Sequence, residues 1–191
     1  MPVRAFIAVE VPIAQLKGIE EVLQSLTAIP GLKCVERKNI HITIRFLGDV
    51  SEPLLSAIES SMSDSLQGVT DFPIQVSGLG AFPSDRDIRV VWAKAVSLQL
   101  EEMATKLNVS IDKLGIKADK PFTPHITLAR LKMRQFERAC KEAISKYKTS
   151  EFGSYNASSV KLKKSTLTPV GPIYEDLKVW MLTPSSGTQT Q

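Results

Sequence analysis

The chain has 191 residues and a mass of 21.0 kDa, room for one ample core or two small lobes but not for a comfortable pair of independent domains. Its 43% hydrophobic and 23% charged residues exclude an intrinsically disordered chain, and no apolar run approaches the 18 residues of a membrane span. The net charge of +4 and pI near 9.1 are compatible with a polyanionic partner, although solvated lysine faces produce the same total.

We expect a single bilobal domain over residues 1–182, a disordered polar tail over 183–191, a cytoplasmic protein, and neither a membrane nor an obligate protein partner. Two cysteines, Cys34 and Cys140, stand far apart without neighbouring ligands, so no zinc site or disulfide framework is expected. Two histidines are too few for a histidine-rich metal centre, and no acidic cluster advertises magnesium. We expect no metal and no cofactor.

In chain order, Val3 to Val11 reads as a buried strand, and Pro12 opens a helical pattern through Ile13, Leu16, Ile19, Leu23 and Leu26. Pro30 and Gly31 end it. Asn39 to Leu47 is β-branched and strand-like, Gly48 and Asp49 read as a turn, and Ser51 starts a helix through Leu66. Phe72 to Leu79 and Ile88 to Val96 read as a hairpin with a long loop between them. Leu100, Met103, Leu107, Ile111 and Leu114 form one helical stripe, with Gly115 placed to end it. A proline-bracketed segment then leads into the strand His125 to Leu131. Helical spacing returns over Arg134 to Lys148, and only strands and turns follow Glu151. About four helices and seven or more strands, with hairpins and helical crossovers, indicate an α+β fold. No GxGxxG or GxxxxGK[ST] run supports a dinucleotide or P-loop reading.

Both histidines occupy one local pattern: Ile40-His41-Ile42-Thr43-Ile44 and Pro124-His125-Ile126-Thr127-Leu128, 84 positions apart. Threonine fills 12 of 191 positions, so a threonine two residues after both histidines arises by chance about 0.4% of the time. On a strand, residues i and i+2 share a face. Each imidazole therefore lies beside a hydroxyl, with the apolar residues between them turned into the core. Two imidazoles can divide the roles of general acid and general base at neutral pH, as in-line attack on phosphorus requires, while threonine hydroxyls hold the non-bridging oxygens.

At these residues the sequence resembles the two-histidine (2H) phosphoesterase superfamily with its paired HxTx motifs. Within it, the chain is similar to the RNA 2′,3′-cyclic phosphodiesterases of archaea and bacteria, formerly called 2′-5′ RNA ligases. The likeness also covers Arg4-Ala-Phe-Ile-Ala-Val, His41-Ile-Thr-Ile-Arg-Phe-Leu-Gly48, Gly80-Ala-Phe-Pro83, Arg89-Val-Val-Trp92 and Pro121-Phe-Thr-Pro-His125-Ile-Thr-Leu-Ala-Arg130. It implies a bilobal, pseudo-twofold α+β fold, with antiparallel sheets lining a central groove and helices outside. It further implies a metal-independent RNA-processing hydrolase that opens an RNA terminal 2′,3′-cyclic phosphate, on tRNA fragments for example, to a 2′-phosphomonoester. The implied catalytic residues are His41, which protonates the leaving 3′-oxygen, and His125, which activates water. Thr43, Thr127 and Arg130 are the implied phosphate-binding residues. Strict alternation sets Arg130 on the face opposite His125, so a bulge or strand end is needed to bring it in.

Arg45 shares parity with His41 and is a candidate substrate contact or a salt-bridge partner. Phe82, Trp92 and Phe122 are candidates to stack a terminal base, and Lys161, Lys163 and Lys164 to track an RNA backbone or form a solvated face. The alternatives left open are a cyclic phosphodiesterase for a small nucleotide, a 2′-5′ RNA ligase, and a non-catalytic nucleotide- or RNA-binding module.

Overall fold

In the computed structural model residues 2–169 and 171–185 are described. The apolar N-terminal run forms β1 (Val3–Glu10), with Ala5 to Val9 all buried. Leu16 then leaves the helical range, with φ −110° and ψ 73°. The pattern expected from Pro12 is therefore split into a 3-10 turn and α1 (Lys17–Thr27), whose Ile19, Val22, Leu23 and Leu26 face the core. After β2 (Leu32–Cys34) and a second 3-10 turn at Arg37–Asn39 comes β3 (His41–Val50). The turn expected at Gly48 and Asp49 is instead part of β3, because Gly48 adopts φ +72° within the strand and stays paired with Ala5.

α2 (Glu52–Leu66) precedes the hairpin of β4 (Phe72–Ser84) and β5 (Asp87–Val96). The long loop expected there is absent. β4 absorbs Gly78, at φ +54°, as an irregularity in the ladder and continues pairing to Ser84, opposite Asp87. α3 (Leu98–Asp112) is capped by Ser97, whose hydroxyl accepts from the Leu100 amide. β6 (His125–Leu131), α4 (Glu137–Lys146), β7 (Glu151–Ala157), β8 (Ser159–Thr168) and β9 (Gly171–Met181) complete the chain.

Two antiparallel sheets result, one ordered β3-β1-β8-β9 and the other β2-β6-β5-β4-β7. α2 and α3 pack on each other, with α2 also against β9 and α3 against β3, while α1 and α4 cover the second sheet. This is the bilobal α+β architecture with one motif strand per sheet. The C-terminal strands return to the first sheet, so the lobe holding β3 is completed only by the last strands made. Of the tail expected from Thr183, the first residues are tied down: Thr183 bridges Thr70, and the Ser185 amide donates to Asp71. Residues 186–191 lie outside the described residues. Among the described residues no helix is long and apolar enough to cross a membrane.

Candidate active site

β3 and β6 each open on their histidine and carry the same irregularity one step after the threonine. In the β1–β3 ladder Ile7 faces Arg45 but Ala8 faces Thr43, so Ile44 is skipped; in the β5–β6 ladder Val91 faces Ala129 but Trp92 faces Thr127, so Leu128 is skipped. A bulge adds one residue to one strand and inverts the alternation beyond it. The consecutive residues Ile44 and Arg45, like Leu128 and Ala129, are accordingly all buried. Residues that alternation assigns to the histidine face, Arg45 and Ala129, turn into the core, and those it assigns to the core, Phe46 and Arg130, turn toward the histidines.

This corrects the expectation for Arg45. Its side chain is 4% exposed and lies under α3, where it donates to Asn108 Oδ1 at 3.0 Å, to Asp112 Oδ1 at 2.6 Å and to the Ile116 carbonyl. Arg130 gains what Arg45 loses. Arg130 is exposed, and its charge bears on His125 in its own lobe and on Tyr174 of the opposite lobe.

Each imidazole is oriented by a backbone carbonyl two residues upstream. His41 Nδ1–H donates to the Asn39 carbonyl at 2.7 Å, and His125 Nδ1–H to the Thr123 carbonyl at 2.6 Å. With Nδ1 committed, the proton-exchanging edge of both rings is Nε2. That of His41 meets the Thr43 hydroxyl at 3.0 Å. Burial is the largest cause holding both rings below the usual imidazole value of about 6.5. Their carbonyl partners oppose it. Lys163 and His125 lower His41 further while Glu10 raises it; Arg130 lowers His125. The charge of His125 thus reaches His41 from the other sheet.

Aromatic rings wall each histidine. His41 lies 5.0 Å from Phe6 and edge-on to Tyr174 at 5.4 Å; His125 lies edge-on to Phe82 at 4.9 Å and 6.2 Å from Trp92. Phe82 and Trp92 stack at 5.1 Å, and Gly80 makes room, since a Cβ there would fall 2.4 Å from the indole. Phe122 packs against the hydrophobic core. Phe46 is 68% exposed beside Phe6; sequence reasoning missed it because simple alternation turns it inward. The basic stripe on β8 is paired, not free. Lys161 bonds Glu10 and Asp176 at 2.7 Å each, Lys163 bonds the same two carboxylates, and Lys164 bonds Glu175. Among the described residues no cluster of three or more histidine, cysteine or carboxylate side chains is placed to hold a metal.

The duplication is also visible in comparison with known proteins. The LigT-like phosphoesterase family matches the chain twice, over residues 8–92 and 93–174. A Methanocaldococcus jannaschii protein named RNA 2′,3′-cyclic phosphodiesterase is 37% identical over 177 residues, covering 93% of this chain and 99% of that relative. An Archaeoglobus fulgidus protein of the same name is 38% identical over 180 residues, with coverage of 93% and 99%. A crystal structure of a Thermus thermophilus protein superimposes with a TM-score of 0.81 at 28% identity, covering 95% of this chain and 98% of its own. Fold and paired motifs together define a two-histidine phosphoesterase. More narrowly, the chain belongs to the LigT-like phosphoesterase family.

Proposed function

We propose that this protein is a metal-independent RNA 2′,3′-cyclic phosphodiesterase that leaves a 2′-phosphate. The carrying observation is the pair of half-buried imidazoles, each fixed in one tautomer by a carbonyl and each followed by a threonine on the same face. The names of the archaeal relatives support the substrate class. In this reading His125 Nε2 takes a proton from water as its oxygen attacks phosphorus, the P–O3′ bond breaks, and His41 Nε2–H protonates the departing 3′-oxygen. Arg130 favours the neutral form of His125 that a base must be; the acid role of His41 rests on the likeness to the family, since burial, Lys163 and His125 lower its pKa and Glu10 offsets them only in part. Thr43, Thr127 and Arg130 hold the non-bridging oxygens, and Phe46, Phe82 and Trp92 offer faces for a terminal base. The chain acts as one bilobal domain in the cytoplasm, on RNA ends such as those of tRNA fragments, without an obligate protein partner.

The test is incubation in EDTA with an RNA oligonucleotide ending in a 2′,3′-cyclic phosphate, separating 2′- from 3′-phosphate products. A 2′-phosphate product is expected; a 3′-phosphate, or turnover abolished by the chelator, refutes the proposal. The pH profile is a second check. The free protein must hold one histidine neutral and the other charged, and both titrate below the usual value of about 6.5. The bell of kcat/KM is therefore expected to peak below about pH 6.5. Bound phosphate stabilises both imidazolium forms, so the kcat profile is expected at higher pH. A kcat/KM maximum above neutrality contradicts the electrostatics of the site.

A further inference from the structure

Beside Ile40 and Glu10, the chain neighbour and the cross-strand partner of His41, a polar cavity of about 380 Å³ opens where the two lobes meet. One wall is the 3-10 turn of Arg37 and Lys38; others are Glu10, at the end of β1, and the β7–β8 corner with Asn156, Ser158 and Ser159, while Pro12 and Ile40 supply apolar surface. Two features tie this cavity to the catalytic centre. Glu10 lines it and is also the direct cross-strand partner of His41. The turn that carries Arg37 and Lys38 ends in Asn39, whose carbonyl orients the His41 ring. A ligand in the cavity and a phosphate at His41 are thus held by one continuous stretch of backbone.

The charge balance favours an anion. Glu10 is already compensated, since Lys161 sits 2.7 Å and Lys163 3.4 Å from its carboxylate. Among the described residues the two cations on the turn are held by surface pairs, Arg37 with Glu20 and Lys38 with Glu36, and the two cationic side chains are 62% and 80% exposed. The Lys38–Glu36 pair contributes little, and the bidentate contact of Arg37 with Glu20 is one whose carboxylate a phosphodiester can replace with the same two-oxygen geometry. The volume lies in the range of small-ligand sites, and amide, hydroxyl and apolar walls suit a ribose and base.

Resting on the function proposed above, we infer that this cavity is a second nucleotide subsite, which takes the ribonucleotide 5′ to the cyclised end, its phosphodiester against Arg37 and Lys38. The enzyme is thereby matched to RNA chains over free cyclic mononucleotides.

The experiment compares the full chain with the Arg37→Ala/Lys38→Ala variant on two substrates, a short oligoribonucleotide ending in 2′,3′-cyclic phosphate and a 2′,3′-cyclic mononucleotide. For the oligonucleotide, kcat/KM is expected to fall about tenfold and its logarithmic salt dependence to flatten by about one to two contacts. The mononucleotide is expected to be unchanged within about twofold. Equal losses on both substrates, or none on the oligonucleotide, overturn the subsite. Fluorescence anisotropy of a labelled oligonucleotide ending in a 2′-phosphate reads the same contacts without turnover. If the wild-type protein hydrolyses neither substrate, the proposed activity fails, while a roughly tenfold weaker anisotropy Kd in the variant still upholds the subsite and an unchanged Kd removes it.

Discussion

His41→Ala and His125→Ala are each expected to lower turnover by about 10²- to 10⁴-fold, the usual worth of one positioned acid or base, while leaving the fold intact. Neither ring holds the lobes together: each makes one carbonyl hydrogen bond and contacts with aromatic rings, and His41 adds one bond to Thr43 on its own strand. The two losses are not expected to multiply, because a phosphoryl transfer that lacks either proton transfer has already lost the concerted step. The roles separate by chemistry. A substrate whose bridging 3′-oxygen is replaced by sulfur leaves as a thiolate and needs no acid. It is expected to restore most of the rate to His41→Ala and none to His125→Ala. Rescue of His125→Ala instead reverses the assignment, and full activity in either variant with the natural linkage removes the two-histidine mechanism.

The second large effect contrasts two arginines that the sequence places at neighbouring steps of equivalent strands. Arg45→Ala is expected to cost about 2–3 kcal/mol of stability, because it leaves a buried gap and strips the Asn108 carbonyl and the Ile116 backbone carbonyl of a charged donor. In a chain of this size that is a fall in Tm of about 5–10 °C, with kcat kept in the folded fraction. Arg130→Ala is expected to do the reverse, lowering kcat/KM by about 10²-fold as one anion donor is lost and moving stability by less than about 0.5 kcal/mol. Thermal unfolding and steady-state kinetics on the pair decide it. An inactive but stable Arg45→Ala protein contradicts the bulge as described.

How much of the site was legible follows from which residues depend on local parity alone. His41 with Thr43, and His125 with Thr127, precede the bulges, so the period of two correctly puts each pair on one face. Arg45, Phe46 and Arg130 follow them. A bulge leaves little local signature when the extra residue is another apolar side chain, as Ile44 and Leu128 are, and only the partner strand reveals that one step has been skipped. The two Gly-containing stretches depart from their expected turns for a related reason. Gly48 and Gly78 have the chemistry of turns, yet each sits inside a strand whose neighbour continues to pair.

The sequence by itself determined the α+β class, the duplicated HxTx motif and the identity of the paired histidines and threonines, because these rest on composition and on periodicities that short-range sterics impose. Tertiary structure decided which arginine is drawn into the core, that Lys161 and Lys163 are neutralised by Glu10 and Asp176 from two different strands, and that a polar cavity opens beside Glu10 and Ile40. Those outcomes depend on strand register, set for Arg45 by Ile7, 38 positions away, and for Arg130 by Val90, 40 positions away, and on the return of β8 to pair with β1 across more than a hundred and fifty positions, neither of which a local pattern encodes.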